Sequence, residues 1–129
     1  MANTLHIART ETSPCIDLDL DHGVIEFTGR SLPANSELFY SRVYRWLDDY
    51  LKRPRPATTV SMKMDYLDTS SSKHFYNIFD RLNTVSERGH QVKVLWHFET
   101  GDEEMAETGK DYERFFHIDF DFIEVKELF

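Results

Sequence analysis

The feature that most constrains the fold is an alternation of two hydrophobic periods along the chain. Five stretches place apolar residues at every second position, the period of a strand with one buried face and one wet face. Each of the last three is separated from the one before by a stretch of helical period. The pattern predicts the order β-β-α-β-α-β-α-β. The five strand stretches are CIDLD, VIEFT, TTVSMKMDYLD, HQVKVLWHF and HIDFDFIEV.

The three helical stretches have recognisable starts and ends. Asn35 or Ser36 is predicted to cap the first, because a short polar side chain accepts a hydrogen bond from a free backbone N–H; Pro54 ends it. The second follows the hydroxyl residues of DTSSS and stops near Gly89. The third, within TGDEEMAETGKDYERFF, is shorter and begins with acidic residues that complement the helix dipole.

The alternating strands also predict how the layers are arranged. Strands covered on both faces are continuous apolar runs, whereas these strands keep one polar face. We therefore expect an α/β two-layer sandwich: a mixed β-sheet of about five strands, with helices mainly on one face. The length of 129 residues fits one domain, 1–129. Residues 1–14 are expected to form either a short strand around Leu5–Ile7 or a loose arm.

Charge and composition exclude several classes of partner. The formal net charge is −8, so the chain is expected to repel nucleic-acid backbones and anionic membrane surfaces. No apolar run approaches the roughly 18 residues of a membrane span, and the N-terminal stretch lacks the apolar core of a signal peptide. Cys15 is the only cysteine, which favours a reducing compartment. We predict a cytoplasmic protein without nucleic-acid partners or membrane insertion.

The sequence offers no obvious catalytic constellation. The six histidines show no metal-ligand spacing, the five glycines are dispersed, and the lone cysteine has no apparent activating neighbour. We therefore expect no enzyme activity, no cofactor and no metal. One alternative is a small-ligand-binding, metal-binding or hydrolytic domain on the polar sheet face, if its carboxylates converge. The simpler interpretation is a solvated face that discourages edge pairing. The carboxylates concerned are Asp17, Asp19, Asp119 and Asp121.

Four consecutive hydroxyl residues, Thr69 to Ser72, follow Asp68 at the start of the second helix. Capping explains one or two of them. The other hypothesis is phosphorylation, because a hydroxyl at a helix N-terminus is accessible and the free N–H groups there tolerate an anion. A phosphate adds about −1.5 to −2 charges, which would oppose docking of an acidic or apolar partner. These arguments leave both Thr69 and Ser70 open as the acceptor.

A strand ending in DYLDTSSS before an amphipathic helix resembles the STAS-type anti-sigma-factor antagonists. The stretches LPANS (Leu32–Ser36) and YLDTSS (Tyr66–Ser71) are more similar to the YPENS and YLNTSS stretches of the SiaC family of regulatory phosphoproteins. TSPCIDLD and VKVLWHFETGDEEMAETG also look similar to that family. The resemblance covers nearly the whole chain, and the order and spacing of the motifs carry it.

This resemblance implies a STAS-like fold and a partner-switching role. It implies that Thr69 is phosphorylated by a protein kinase and dephosphorylated by a PP2C-type phosphatase. It also implies that the unphosphorylated form binds and activates a diguanylate cyclase or another signalling enzyme, raising cyclic di-GMP and promoting aggregation and biofilm growth. A structural adaptor without a switch is a further alternative. The residues expected to contact partners are Asp68, Thr69, Ser70, Ser71, Ser72, Asn35 and Ser36.

Overall fold

The computed structural model describes residues 3–129 and contains one sheet and three helices. The order of elements follows the pattern predicted from the sequence, with one additional strand at the start. The elements are β1 (Thr4–Ile7), β2 (Cys15–Asp19), β3 (Val24–Ser31), α1 (Ser36–Lys52), β4 (Ala57–Leu67), α2 (Thr69–Glu87), β5 (Gln91–Glu99), α3 (Glu103–Phe115) and β6 (Asp119–Val125).

Within residues 3–129 the sheet has six strands, one more than the five expected. The sixth is β1, from the segment for which both a strand and a loose arm were considered; residues 1 and 2 of that segment lie outside the described residues. β1 pairs antiparallel with β2, and Ile7 lies opposite Ile16 with both side chains buried. This apolar pair, together with Leu5 packed partly buried against the core, explains why a four-residue strand stays attached, since burial of apolar side chains anchors it.

The strands lie side by side in chain order, from β1 to β6. β1, β2 and β3 pair antiparallel, whereas β3 to β6 pair parallel, so the sheet is mixed as predicted. Each connection between parallel strands leads to the next strand of the sheet, always in the direction of β6. Because such crossovers are right-handed, all three helices are placed on the same face. The opposite face, here called the outer face, carries the polar residues of the alternating strands.

One hydrophobic cluster fills the space between the sheet and the helices. Phe79 of α2 lies in it, with its ring centroid 5.1 Å from that of Tyr112 and 5.6 Å from that of Phe120. These contacts join the middle helix to α3 and β6. Among the described residues, no helix combines the length and apolar character required to cross a membrane.

Gly109 of α3 lies against the aromatic rings of the core. A Cβ at this position would stand 2.7 Å from the Trp96 ring and 2.8 Å from Phe122. The Trp96 indole is held in place, because its N–H donates to the Met105 carbonyl oxygen at 3.0 Å. The close approach of α3 to the sheet therefore requires glycine here.

We expect Gly109→Ala to destabilise the protein. Alanine gains about 1 kcal/mol over glycine in a helix interior. Forcing a methyl group into a packed core costs typically about 1–3 kcal/mol, so the net change should be a loss. Urea denaturation would measure it, with Lys110→Ala on the exposed side of α3 as the control. A Gly109→Ala protein as stable as the wild type would contradict this account of the packing.

Candidate functional site

The three helices begin along one edge of the sheet, where the parallel strands end. A short polar side chain caps each helix by accepting a hydrogen bond from a backbone N–H in its first turn. Asn35 accepts from Leu38 at 3.1 Å and so, of the two residues proposed from the sequence, Asn35 is the cap of α1. Asp68 caps α2 and Asp102 caps α3 in the same way. The edge therefore carries three helix N-termini and the hydroxyl cluster Thr69–Ser72.

Three of the four hydroxyls in that cluster make hydrogen bonds that serve the fold. Ser70 donates to the Asp68 carboxylate at 3.1 Å, and Ser72 donates to the Asp68 carbonyl oxygen at 3.0 Å. Ser71 donates to the Ser31 carbonyl oxygen at 3.1 Å. Capping and tethering of α2 thus account for Ser70, Ser71 and Ser72.

Ser71 lies away from the surface on which it was expected. Its side chain is fully buried, and its hydroxyl oxygen lies 2.6 Å from that of Ser31. Ser31 is in turn 2.6 Å from the hydroxyl of Tyr40, so a buried chain of hydroxyls joins β3, α1 and α2. Burial raises the pKa of Tyr40, which keeps its phenol neutral. Ser71 was expected on a partner-binding surface, but the structure buries its side chain, and its hydroxyl positions α2.

Thr69 is the exception among the four. It occupies the first position of α2, its side chain is exposed, and no hydrogen bond within residues 3–129 involves its hydroxyl. Ser70, the other acceptor considered, is half-buried and bonded to Asp68. The two candidates that the sequence left open are therefore distinguished by geometry: only Thr69 presents a free, exposed hydroxyl.

The start of α1 lies beside the start of α2 through one histidine. The His74 ring has one nitrogen 3.2 Å from the Ser36 hydroxyl and the other 2.6 Å from the Tyr44 hydroxyl. The ring also stacks on Tyr40 at a centroid distance of 4.9 Å. Burial lowers the pKa of His74, since it disfavours the charged imidazolium. The structure thus brings Ser36 and its neighbour Asn35 next to the hydroxyl cluster, as proposed.

Exposed apolar side chains accompany these polar groups. Leu38, in the first turn of α1, is 69% exposed, whereas Leu47 of the same helix is fully buried. Tyr66, near the end of β4, is 49% exposed, whereas alternation continued from the buried Met62 and Met64 predicts that it faces inward. A register shift between Gly29 and Arg30 pairs Tyr66 with the outward-facing Arg30. This irregularity turns Tyr66 to the outer face.

The alternative site on the outer face is not formed. Asp17 and Asp19 lie on β2, whereas Asp119 and Asp121 lie on β6, four strands away. Four strand spacings amount to about 19 Å, too far for one ligand or metal ion. Three of the four carboxylates have a basic partner: Asp17 is hydrogen-bonded to the His6 ring, Asp19 is hydrogen-bonded to the His22 ring, and Asp121 pairs with Lys93. A single binding or hydrolytic site that combines the four carboxylates, the alternative considered from the sequence, is therefore not formed.

The cap of α2 gives a pH-dependent contribution to stability. Burial opposes ionisation of the Asp68 carboxyl, but hydrogen bonds from Ser71 and Ser70 outweigh it and hold the pKa below the ordinary value of 3.8. A carboxyl whose pKa is lower in the folded state stabilises the fold above the unfolded pKa. That stabilisation is lost as the pH falls through the folded pKa.

We expect Asp68→Ala to lower the free energy of unfolding by about 1 kcal/mol near neutral pH, the usual cost of losing a cap. Asp68→Asn keeps a capping oxygen and should lose less. The difference in free energy of unfolding between Asp68→Asn and the wild type should shrink as the pH falls through the Asp68 pKa, because the wild-type side chain then also becomes neutral. Urea denaturation from neutral to acid pH would measure this. An equal loss in both variants at neutral pH would contradict the capping role.

The sequence did not identify the residues that support the site. Tyr40 lies three and seven residues before the buried Val43 and Leu47, a helical spacing that could have indicated its burial. Ser31 gave no such signal, because its partner Ser71 is 40 residues away. His74 has no spacing in the sequence that sets it apart from the other five histidines, and only the packing of α1 against α2 shows its role.

Comparison with known proteins agrees with the resemblance found in the sequence. Residues 7–125 match the family described as SiaC family regulatory phosphoprotein. A curated relative, an uncharacterized protein of Pseudomonas aeruginosa (strain UCBPP-PA14), is 30% identical over 108 residues, which are 84% of this chain and 86% of the relative.

Two solved structures are similar to the whole fold. SiaC of Pseudomonas aeruginosa aligns with a TM-score of 0.87 and 27% identity, covering 97% of this chain and 100% of that one. A chain in the crystal structure of the diguanylate cyclase SiaD with its activator SiaC, from the same organism, aligns with a TM-score of 0.89 and 27% identity. That match covers 94% of this chain and 99% of the other. The α/β fold and the family predicted from the sequence are confirmed, and the chain belongs to the SiaC family of regulatory phosphoproteins.

Proposed function

We propose that this chain is a partner-switch protein whose unphosphorylated form binds and activates a diguanylate cyclase. The resulting cyclic di-GMP would promote aggregation and biofilm growth. The observation that carries the proposal is the exposed, unbonded hydroxyl of Thr69 at the start of α2, in a member of a phosphoprotein family. The similarity to a SiaC chain that was solved with the cyclase it activates supports the choice of partner.

The proposed docking surface is the edge where α1 and α2 begin. It comprises the exposed or half-buried residues Asn35, Ser36, Asp68, Thr69, Ser70 and Ser72. Ser71 contributes indirectly, because its buried hydroxyl fixes the first turn of α2. Leu38 adds exposed apolar area beside Asn35, and an apolar anchor next to polar groups is typical of binding surfaces.

Phosphorylation of Thr69 would act by charge and not by refolding. The side chain is exposed, so a phosphate fits without displacing core residues. The partial positive charge of the helix N-terminus tolerates an anion there. The phosphate would add about −1.5 to −2 charges beside the ionised Asp68. A partner surface that accepts the neutral hydroxyl would be opposed by the phosphate, through repulsion of acidic groups and the cost of desolvating the added charge. Both effects would favour release of the partner.

The switch would require two enzymes. A protein kinase would phosphorylate Thr69, and a PP2C-type phosphatase would reverse the modification. The chain itself would be a single cytoplasmic domain that acts by binding, without an enzyme activity of its own. The regulatory role of the family supports action by binding.

Affinity capture from the native cell, with mass spectrometry of bait and captured proteins, would test the proposal. Wild type would be compared with Thr69→Ala and Thr69→Glu. We expect phosphate on wild-type Thr69 and a diguanylate cyclase that co-purifies with the alanine variant but is depleted with the glutamate variant. Absence of phosphate together with identical partners for all three baits would favour a structural adaptor and contradict the switch.

A further inference from the structure

Three side chains of metal-binding type meet on the outer face of β1 and β2. His6, Cys15 and Asp17 each offer one donor atom, and these atoms lie within 4.8 Å of one another. A His6 ring nitrogen is 2.5 Å from one Asp17 oxygen, and the Cys15 sulfur is 3.5 Å from the other. The sequence predicted no metal site, because the residues show no metal-ligand spacing along the chain. The pairing of two strands brings them together.

The backbone register explains why all three side chains share one face. His6 lies directly opposite Asp17 in the antiparallel pair of β1 and β2. Cys15 precedes Asp17 by two residues on the same strand, so both side chains project to the same side. Their neighbours Ile16 and Leu18 project into the core. The cluster therefore stands on two hydrogen-bonded strands, which hold its donors more rigidly than loops would.

We propose that His6, Cys15 and Asp17 form a binding site for Zn²⁺ or a similar late transition-metal ion. Imidazole, thiolate and carboxylate are the protein ligands of zinc, whereas Mg²⁺ and Ca²⁺ favour oxygen-only sites. Bond lengths of about 2.0–2.3 Å place the ligands of a tetrahedral zinc ion about 3.3–3.8 Å apart. Small side-chain rotations would bring the three donors to that separation, with the metal ion between His6 and Asp17 in place of their direct hydrogen bond.

The surroundings leave room for a fourth ligand and favour a cation. His6, Asp17 and Glu26 line an open groove on the outer face, through which water reaches the cluster. Glu26 lies directly opposite Asp17 in the pairing of β2 with β3, so its carboxylate stands beside the cluster. The two acidic side chains would attract a positive ion, and a bound metal ion would stabilise the thiolate form of Cys15. Three protein ligands and one water constitute an open zinc site.

This site would be independent of Thr69. It lies on the antiparallel side of the sheet, on the face opposite the helices, whereas Thr69 begins α2. Metal binding would bridge the edge strand β1 to β2 and stabilise their pairing, because a ligand that binds only the folded state stabilises it. Loss of this site would leave the proposed switch intact, so a result that contradicts metal binding would not contradict the switch at Thr69.

Titration of the full chain with Co²⁺, a spectroscopic substitute for Zn²⁺, tests the proposal. Because Cys15 is the only cysteine, a thiolate-to-cobalt charge-transfer band can arise only from this site. We expect the band in the wild type and its loss on addition of Zn²⁺. We expect no band in Cys15→Ser and at least about tenfold weaker Co²⁺ binding in His6→Gln, since even outer-shell changes weaken metal sites by roughly 10–100-fold.

His22→Gln provides a matched control. His22 pairs with Asp19 at 2.8 Å on the same hairpin, which is a histidine–carboxylate pair without a thiol. The His22→Gln variant should bind Co²⁺ as the wild type does. Circular dichroism would confirm that the exposed substitutions leave the fold intact. A wild-type protein without a charge-transfer band, or a band of equal affinity in His6→Gln, would overturn the proposed site.

Discussion

Phosphorylation of Thr69 is expected to weaken binding of the partner cyclase by at least about a hundredfold. A like charge brought into an interface costs several kcal/mol, and each 1.4 kcal/mol corresponds to a factor of about ten in affinity. Calorimetric titration of the purified cyclase with protein phosphorylated only at Thr69 would measure the effect. Thr69→Glu should weaken binding less than the phosphate does, because one carboxylate carries about half its charge. Thr69→Ala should bind as tightly as the unmodified protein.

Thr84→Glu is the matched control for this experiment. Thr84 is an exposed threonine of the same helix, in the last turn and far from the edge where Thr69 lies. The substitution adds the same charge to the same helix, so it reports the effect of net charge alone. We expect it to leave the affinity nearly unchanged at physiological salt, where screening limits the range of exposed charges to about 8 Å. Equal weakening by Thr69→Glu and Thr84→Glu would contradict a local switch at Thr69.

Ser71→Glu is expected to unfold the protein, although Ser71 lies only two residues after Thr69. The Ser71 side chain is fully buried between β3 and α1, where its neighbours are the hydroxyls of Ser31 and Tyr40. A buried, unpaired carboxylate costs several kcal/mol. This is comparable with the total stability of a domain, about 5–15 kcal/mol. Circular dichroism and urea denaturation would show loss of the cooperative transition or a large drop in its midpoint.

Two variants make this prediction specific. Ser71→Ala removes only the hydrogen bonds and leaves the site uncharged, so we expect a loss of about 1–3 kcal/mol. Thr69→Glu places the same carboxylate on an exposed side chain and should leave the stability within about 0.5 kcal/mol of the wild type. A Ser71→Glu protein that folds as stably as Thr69→Glu would show that Ser71 is accessible, against the buried network described here.

The strands, helices and layers of the fold were predicted well, because hydrophobic period and capping residues are patterns among residues close together in the chain. The apolar positions of β2 to β6 alternate clearly, and helix starts are marked by capping residues such as Asn35 and Asp68. β1 was uncertain because only Ile7 of its four residues is buried. The outward direction of Tyr66 was not predictable, since it depends on a pairing irregularity with β3 that leaves no signal in β4 itself.

The candidate site was predicted in part. The hydroxyl cluster was visible as a run of residues, but its division into bonded and free hydroxyls depends on contacts across the fold. Ser71 meets Ser31 across 40 residues of chain, and Ser36 meets His74 across 38. Similarly, His6 joins Cys15 and Asp17 only through strand pairing. Sequence spacing identifies which groups are available, whereas the sheet and helix packing decides which of them meet.

Synthesis of cyclic di-GMP by the partner cyclase is the most direct test of the central claim. The assay would compare three samples of this protein: unmodified, fully phosphorylated at Thr69, and phosphorylated then treated with a PP2C-type phosphatase. We predict activation by the first, none by the second, and recovered activation by the third. Equal activation by the phosphorylated and unmodified samples would contradict the account of Thr69 as the switch.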